Sequence, residues 1–200
     1  MGRDSVVMRR IHMFNRVSAD GYFGALDGNI EWPVQDPELD KSATSGMDDT
    51  DAMLFGRTTY DGFKSFWPHA VDESPHGPAR RSPELAAMGK WINRMTKYVF
   101  SRTLTDASWA GTKILGEFDP KVVEELKRGP GKNIMIFGSG SIVSLLTQHG
   151  LIDEYTFVVS PLLLGSGILP VRGVTKHLKL KLLECKEFAT GNVRLRYAKA

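Results

Sequence analysis

Through its first three-quarters the chain alternates short apolar runs, rich in β-favouring residues, with stretches of helical period, and then the alternation stops. The runs are "RRIHMFNRVS" (9–18), "DAMLFG" (51–56), "KYVFS" (97–101), "TKILG" (112–116) and the start of "NIMIFGSGSIVSLL" (133–146). Between them lie a polar stretch able to hold a helix from about Pro37, and "RTTYDGFKSFW", with apolar residues at Tyr60, Phe63 and Phe66-Trp67. A helix over 84–94 follows, then one over 119–129, where Asp119 suits the cap, Pro120 the first turn and Gly129 the stop. From Ile152 onward "DEYTFVVSPLLLG", "LKLKLLECKEF" and "NVRLRYAK" all read as strands. Parallel strands need long crossovers, which helices supply, whereas consecutive strands pair antiparallel. The pattern therefore predicts an α/β domain over residues 1–200: a mostly parallel sheet flanked by helices, with antiparallel C-terminal strands at one edge.

Composition narrows the chemistry. Net charge is +3, and Lys and Arg are scattered, with Arg9-Arg10 and Arg80-Arg81 the densest pairs. Nucleic-acid binders cluster their basic residues, so a small anionic ligand fits better than nucleic acid. The single cysteine, Cys185, excludes a disulfide within the chain, and its place in an alternating run makes it an expected buried strand residue. Five histidines show neither HExxH nor paired spacing, which argues against a metal site. Neither a signal-like apolar core in "MGRDSVVMRR" nor an 18-residue apolar run is present, so a cytoplasmic protein without membrane contact is expected. A proline-rich excursion is expected over 68–83.

Ligands of open α/β sheets bind at the carboxyl ends of the parallel strands. Here those ends read "RVSADG", "FGRTTY", "FSRT" and "FGSGS", combining hydroxyls, two arginines (Arg57, Arg102) and a glycine turn. These are phosphate-binding groups, and a dinucleotide phosphorylated on its ribose would use all of them. Two named motifs fail. The third glycine of a Rossmann fingerprint is replaced by Val143, Val158 stands where its ribose-binding acid would fall, and no GKS or GKT makes a Walker loop. Read this way, the turn either cradles a phosphate or simply reverses the chain.

"VSADGYFG", "MLFGRTTYDGF", "KYVFSRTL", "IMIFGSGSIVSLL" and "GLIDEYTFVVSPLLLGSG", in this order and at these spacings, resemble the dihydrofolate reductase-like superfamily. The similarity is greatest to the C-terminal reductase domain of bacterial riboflavin biosynthesis and its stand-alone relatives, and it spans about residues 9–198. It implies an NADPH-dependent reductase acting on a pterin- or pyrimidine-like heterocycle. Gly56, Arg57, Thr58 and Thr59 match the segment under the pyrophosphate and adenosine phosphate. Ser101, Arg102 and Thr103 match the segment that grips the 2′-phosphate. Gly138, Ser139, Gly140, Ser141 and Ile142 match the glycine pair under the pyrophosphate and nicotinamide ribose, and Val17 and Ser18 the strand end near the carboxamide. Trp32 and Trp67 fall near the substrate cleft.

Each position also has a plainer reading. Arg57 suits pairing with a surface acid, Ser101 a turn cap, and the two tryptophans the core. The resemblance leaves the proton donor open. Asp20 is the candidate catalytic acid, though it suits a turn equally well, and Asp36, Glu38 and Asp40 fall where the folate enzymes carry a carboxylate. No zinc deaminase signature accompanies the reductase pattern. A non-catalytic nucleotide-binding protein on the same scaffold is the alternative. In the C-terminal strands Leu178, Leu180, Leu182, Val193, Leu195 and Tyr197 alternate with basic residues, giving one apolar face and an expected homodimer.

Overall fold

β1 (Ile11–Ser18) alternates buried and part-exposed side chains because it lies inside a sheet covered on both faces. It is followed by α1 (Pro37–Ala43), a 3-10 turn (Thr44–Asp49) and the β2–α2 unit, Thr50–Gly56 then Arg57–Phe66. Next come α3 (Pro83–Arg94), β3 (Thr96–Phe100), β4 (Thr112–Gly116) and α4 (Pro120–Arg128). β5 (Asn133–Phe137), α5 (Gly140–Gln148), β6 (Glu154–Ser160), β7 (Leu180–Glu187) and β8 (Val193–Lys199) complete the chain. The computed structural model describes residues 8–72, 74 and 82–200; residues 1–7 and, within the proline-rich excursion, 73 and 75–81 (with His76 and Arg80-Arg81) lie outside it.

The eight strands form one sheet in the order β4-β3-β2-β5-β1-β6-β8-β7. The first six are parallel, and β8 and β7 join antiparallel, as the alternation predicts. Strand alternation sorts the core into two layers. Ala52 and Leu54 of β2 and Ile134 and Ile136 of β5 pack with Val123 of α4 and Val143 and Leu146 of α5. Their neighbours Met53, Phe55, Met135 and Phe137 face the opposite layer, with Tyr60 of α2 and Trp91 of α3. The helix caps follow the sequence signals: Asp119 accepts from the Lys121 N–H and Ser82 from the Leu85 N–H.

The C-terminal hairpin splits into two faces of different chemistry. On one, Arg196 bridges Glu154 and Glu184 at 2.7 and 3.3 Å, and Arg194 pairs with Glu184 at 2.7 Å. α1 docks on this charged face through Asp40–Arg16 (2.6 Å), Glu38–Lys186 (2.8 Å) and Ser42–Arg194 (2.9 Å). The other face carries Tyr197 and Leu195, beside Leu182 and Cys185. A register shift between Leu182 and Glu184 moves Cys185 onto this apolar face. The expectation that Cys185 is buried is corrected: its thiol is exposed because β7 is the last strand of the sheet. Leu182 is 52% exposed there.

Lys97 of β3 is fully buried, its ammonium held by the carbonyls of Asn93 (2.6 Å) and Ala110 (3.0 Å) and lying 4.4 Å from the Trp109 ring. Burial lowers its pKa from 10.5 to about 8. Between those values the unfolded chain binds more protons than the folded one, so stability rises with pH across that window and is flat below it. Chemical denaturation should show wild-type stability, measured against Lys97→Met, climbing by on the order of 3 kcal/mol from pH 8 to 10.5.

Candidate functional site

β2 and β5 are parallel neighbours, so the helices that follow them start side by side. Neither start has a side-chain cap of its own. Gly138 (φ 58°) and Ser139 (φ 61°) are both left-handed, and this pair tips the chain out of β5 into α5. The Ser139 hydroxyl then crosses to α2 and accepts from the Gly56 N–H at 2.7 Å. A Cβ on Gly56 would sit 2.9 Å from that hydroxyl, so glycine is what lets the two helix starts approach. Two helix starts and their dipoles thus converge on one place, an arrangement that favours an anion.

That place is one end of a cavity of about 1050 Å³. Arg57, Thr58, Thr59, Ser101, Arg102, Thr103 and Ser141 line this end with the glycine turn. The other end is aromatic. Phe137 lies 5.6 Å from Phe14 and stacks on Phe63 at 6.0 Å, and Phe63 contacts Trp67 at 5.9 Å. Asn15 and Arg16 of β1 also reach the wall, and Asn15 accepts from the Gly138 N–H at 2.8 Å. Among the described residues that line the cavity there is no carboxylate.

The structure therefore brings together the glycine turn, the start of α2, the 101–103 segment and Trp67. Arg57 is held by Asp61 one turn along α2 at 2.5 Å, and the Ser101 hydroxyl caps its own turn by accepting from Thr103 and Leu104. Val17, Ser18 and Trp32 do not reach the wall. Val17 is buried in the sheet. Ser18 is committed to Asp20 and to the Tyr22 N–H.

Asp20 does not line the cavity either, and its carboxylate joins two loops. Its oxygens accept from the Ser18 hydroxyl (2.6 Å) and from the N–H groups of Leu164 (3.1 Å) and Gly165 (2.7 Å). The Ser18 hydrogen bond is the main reason its pKa is lowered. Asp36 likewise caps α1 through the Leu39 N–H and accepts from Thr190, which chiefly lowers its pKa. Asn15, Arg16 and the aromatic wall escaped the sequence reading. The signal was present: Asn15 is a polar residue in the buried phase of Ile11, Met13 and Val17.

The loop after β1 is sewn to the loop after β6. Ala19 donates to the Leu162 carbonyl, Phe23 to Ile168, and Ile168 back to Gly24 at 2.7 Å. A Cβ on Gly167 would fall 2.3 Å from the Gly24 carbonyl, and one on Gly140 would fall 3.0 Å from the Phe23 ring. The paired loops thus rest on the glycine turn and close one side of the cavity.

Sheet order and the cleft at its carboxyl edge define a dihydrofolate reductase-like fold. The chain belongs to the RibD C-terminal domain family, whose model matches residues 9–194. It is 28% identical over 199 residues to the uncharacterized protein YyaP of Bacillus subtilis (strain 168), covering 97% of each chain. Among solved structures it is similar to a putative riboflavin biosynthesis protein from Shewanella sp. PV-4, with TM-score 0.73 and 18% identity over 96% of this chain and 99% of that one. It is also similar to a diaminohydroxyphosphoribosylaminopyrimidine deaminase/5-amino-6-(5-phosphoribosylamino)uracil reductase from Thermotoga maritima. That match has TM-score 0.66 and 13% identity, and covers 96% of this chain but 57% of that longer one.

Removing the tie between the helix starts tests this construction. Ser139→Ala leaves the buried Gly56 N–H without its acceptor and should cost about 1–3 kcal/mol in urea unfolding.

Proposed function

We propose that this protein is an NADPH-dependent reductase that reduces a planar small molecule held at the aromatic end of the cavity. The observation that carries the reading is the pair of uncapped helix starts, tied by Ser139, facing a cavity wall that bears arginines and hydroxyls and no carboxylate among the described residues. A donor set of that kind fits a multiply phosphorylated cofactor. The starts of α2 and α5 would hold the pyrophosphate, and Arg57, Ser101 and Arg102 the ribose phosphate. NADPH, when bound, supplies the hydride. The chain's own part is to orient and to exclude water: Phe63, Trp67 and Phe137 fix a flat ring, and the paired loops cover the turn. Among the described residues the wall carries no acid, and solvent would deliver the proton. Family membership supports reductase chemistry. The missing acid favours the second reading, a nucleotide-binding protein without turnover, and NADPH oxidation with a substrate panel separates the two.

Titration of the folded protein should show NADPH binding more tightly than NADH. Arg57→Ala or Arg102→Ala should cost on the order of 1–3 kcal/mol for NADPH and far less for NADH. Equal affinities of the wild type for the two cofactors would remove the reading. Ser141→Asp, an exposed change in the first turn of α5, should keep the fold and weaken both cofactors by charge repulsion.

A homodimer through the C-terminal hairpin is part of the same proposal. Leu180, Leu182 and Leu183 are exposed on the edge strand, and a second copy covers such an edge by symmetry. Sedimentation at low micromolar concentration should give twice 22.2 kDa, and a single species at the monomer mass would refute it.

A further inference from the structure

We infer that Arg172 is a cofactor-binding residue whose guanidinium holds the pyrophosphate from the α5 side, and that it serves nicotinamide dinucleotides with and without a ribose phosphate alike. The inference rests on the NADPH-dependent reading and adds to it a contact from outside the strand-end motifs.

Arg16, Arg57, Arg102 and Arg172 line the cavity. Two of them are engaged, Arg16 with Asp40 at 2.6 Å and Arg57 with Asp61 at 2.5 Å. Among the described residues Arg102 and Arg172 have no ion-pair partner. A free surface arginine is often merely solvated, so position has to decide. The backbone of Arg172 is fixed. The Ser144 hydroxyl donates to the Gly140 carbonyl at 2.6 Å and accepts from the Arg172 N–H at 3.0 Å. Gly140 and Ser144 stand one above the other on α5, so this serine ties Arg172 to the beginning of the helix. Beside it, the Leu169 carbonyl lies 3.2 Å from where a Cβ on Gly140 would stand. Val171 packs inward against the core, and Arg172 is exposed. With the backbone already held, only the side chain has to be ordered to meet an anion.

The sheet order says which anion. β3, β2, β5, β1 and β6 stand side by side, with neighbours about 4.8 Å apart. Arg102 follows β3, α2 follows β2, α5 follows β5, and the loop of Arg172 follows β6. Arg102 and Arg172 therefore flank the paired helix starts from opposite sides, the first beside α2 and the second beside α5. A dinucleotide phosphorylated on its ribose carries its charge in two clusters. Arg102 suits the ribose phosphate, and Arg172 suits the pyrophosphate at the start of α5, where the helix dipole already favours negative charge. A guanidinium can give two parallel N–H groups to phosphate oxygens, which suits this contact. The two free arginines thus divide the work: Arg102 discriminates between cofactors, and Arg172 strengthens both.

Titration of the folded protein with NADPH and with NADH, read by protein fluorescence, separates the two roles. Arg172→Gln should weaken both cofactors by the same factor, about tenfold, and leave the ratio of their affinities at the wild-type value. Arg102→Gln should weaken NADPH alone. Arg172→Glu reverses the charge, should weaken both cofactors further than Arg172→Gln does, and serves where that variant does not fold. The urea midpoints should match the wild type, because the changed side chain is exposed and the N–H that meets Ser144 is common to every variant. Unchanged affinities in both Arg172 variants, a loss confined to NADPH, or a loss accompanied by a lowered urea midpoint overturns the inference. Wild-type protein that binds neither cofactor removes the reductase reading instead, and the two failures are therefore distinguishable.

Discussion

The hydrogen bond from the Gly56 N–H to the Ser139 hydroxyl is where sheet, helices and site meet. It requires β2 and β5 to be parallel neighbours, since only then do their helices begin at the same edge. It requires glycine at 56, where a side chain would strike the hydroxyl, and a left-handed backbone at 138 and 139 to turn the serine inward. The left-handed serine is strained, and the cost persists because the bond and the packing of α5 hold it. What the arrangement gains is a pair of aligned helix dipoles at one point.

Among the described residues no carboxylate lines the cavity. Asp20 secures two loops, Asp36 caps α1, and Glu38 and Asp40 fasten α1 to the hairpin and to β1. Asp61 partly offsets Arg57 at the mouth. These acids are engaged in structure, and the described lining of the cavity carries arginines and hydroxyls without a carboxylate.

Much of this was legible in the chain, for physical reasons that differ by element. Strand and helix order followed from periodicity, and the ends of α4 from Asp119, Pro120 and Gly129, because these signals are local. The anion end was legible because strand ends are where the fold class places ligands. The aromatic end was not: Phe14, Phe63 and Phe137 come from three distant elements, and each looks like core by itself. The Leu164 and Gly165 partners of the Asp20 oxygens were not legible, because they come from a loop more than 140 residues away in the chain. Cys185 was misplaced because alternation does not reveal that its strand is the last one of the sheet.

The stitching of the loop after β1 to the loop after β6 has an evolutionary corollary. Residues 19–25 and 162–168 are joined by hydrogen bonds through Ala19, Asp20, Phe23 and Gly24, and a carbonyl of one lies where a side chain on the other would stand. Neither segment can drift alone without breaking its half of the seam. Substitutions in one segment are therefore energetically coupled to the other, although about 140 residues of chain separate them. Grafting specificity between relatives would therefore demand transplanting both segments together, with their glycines.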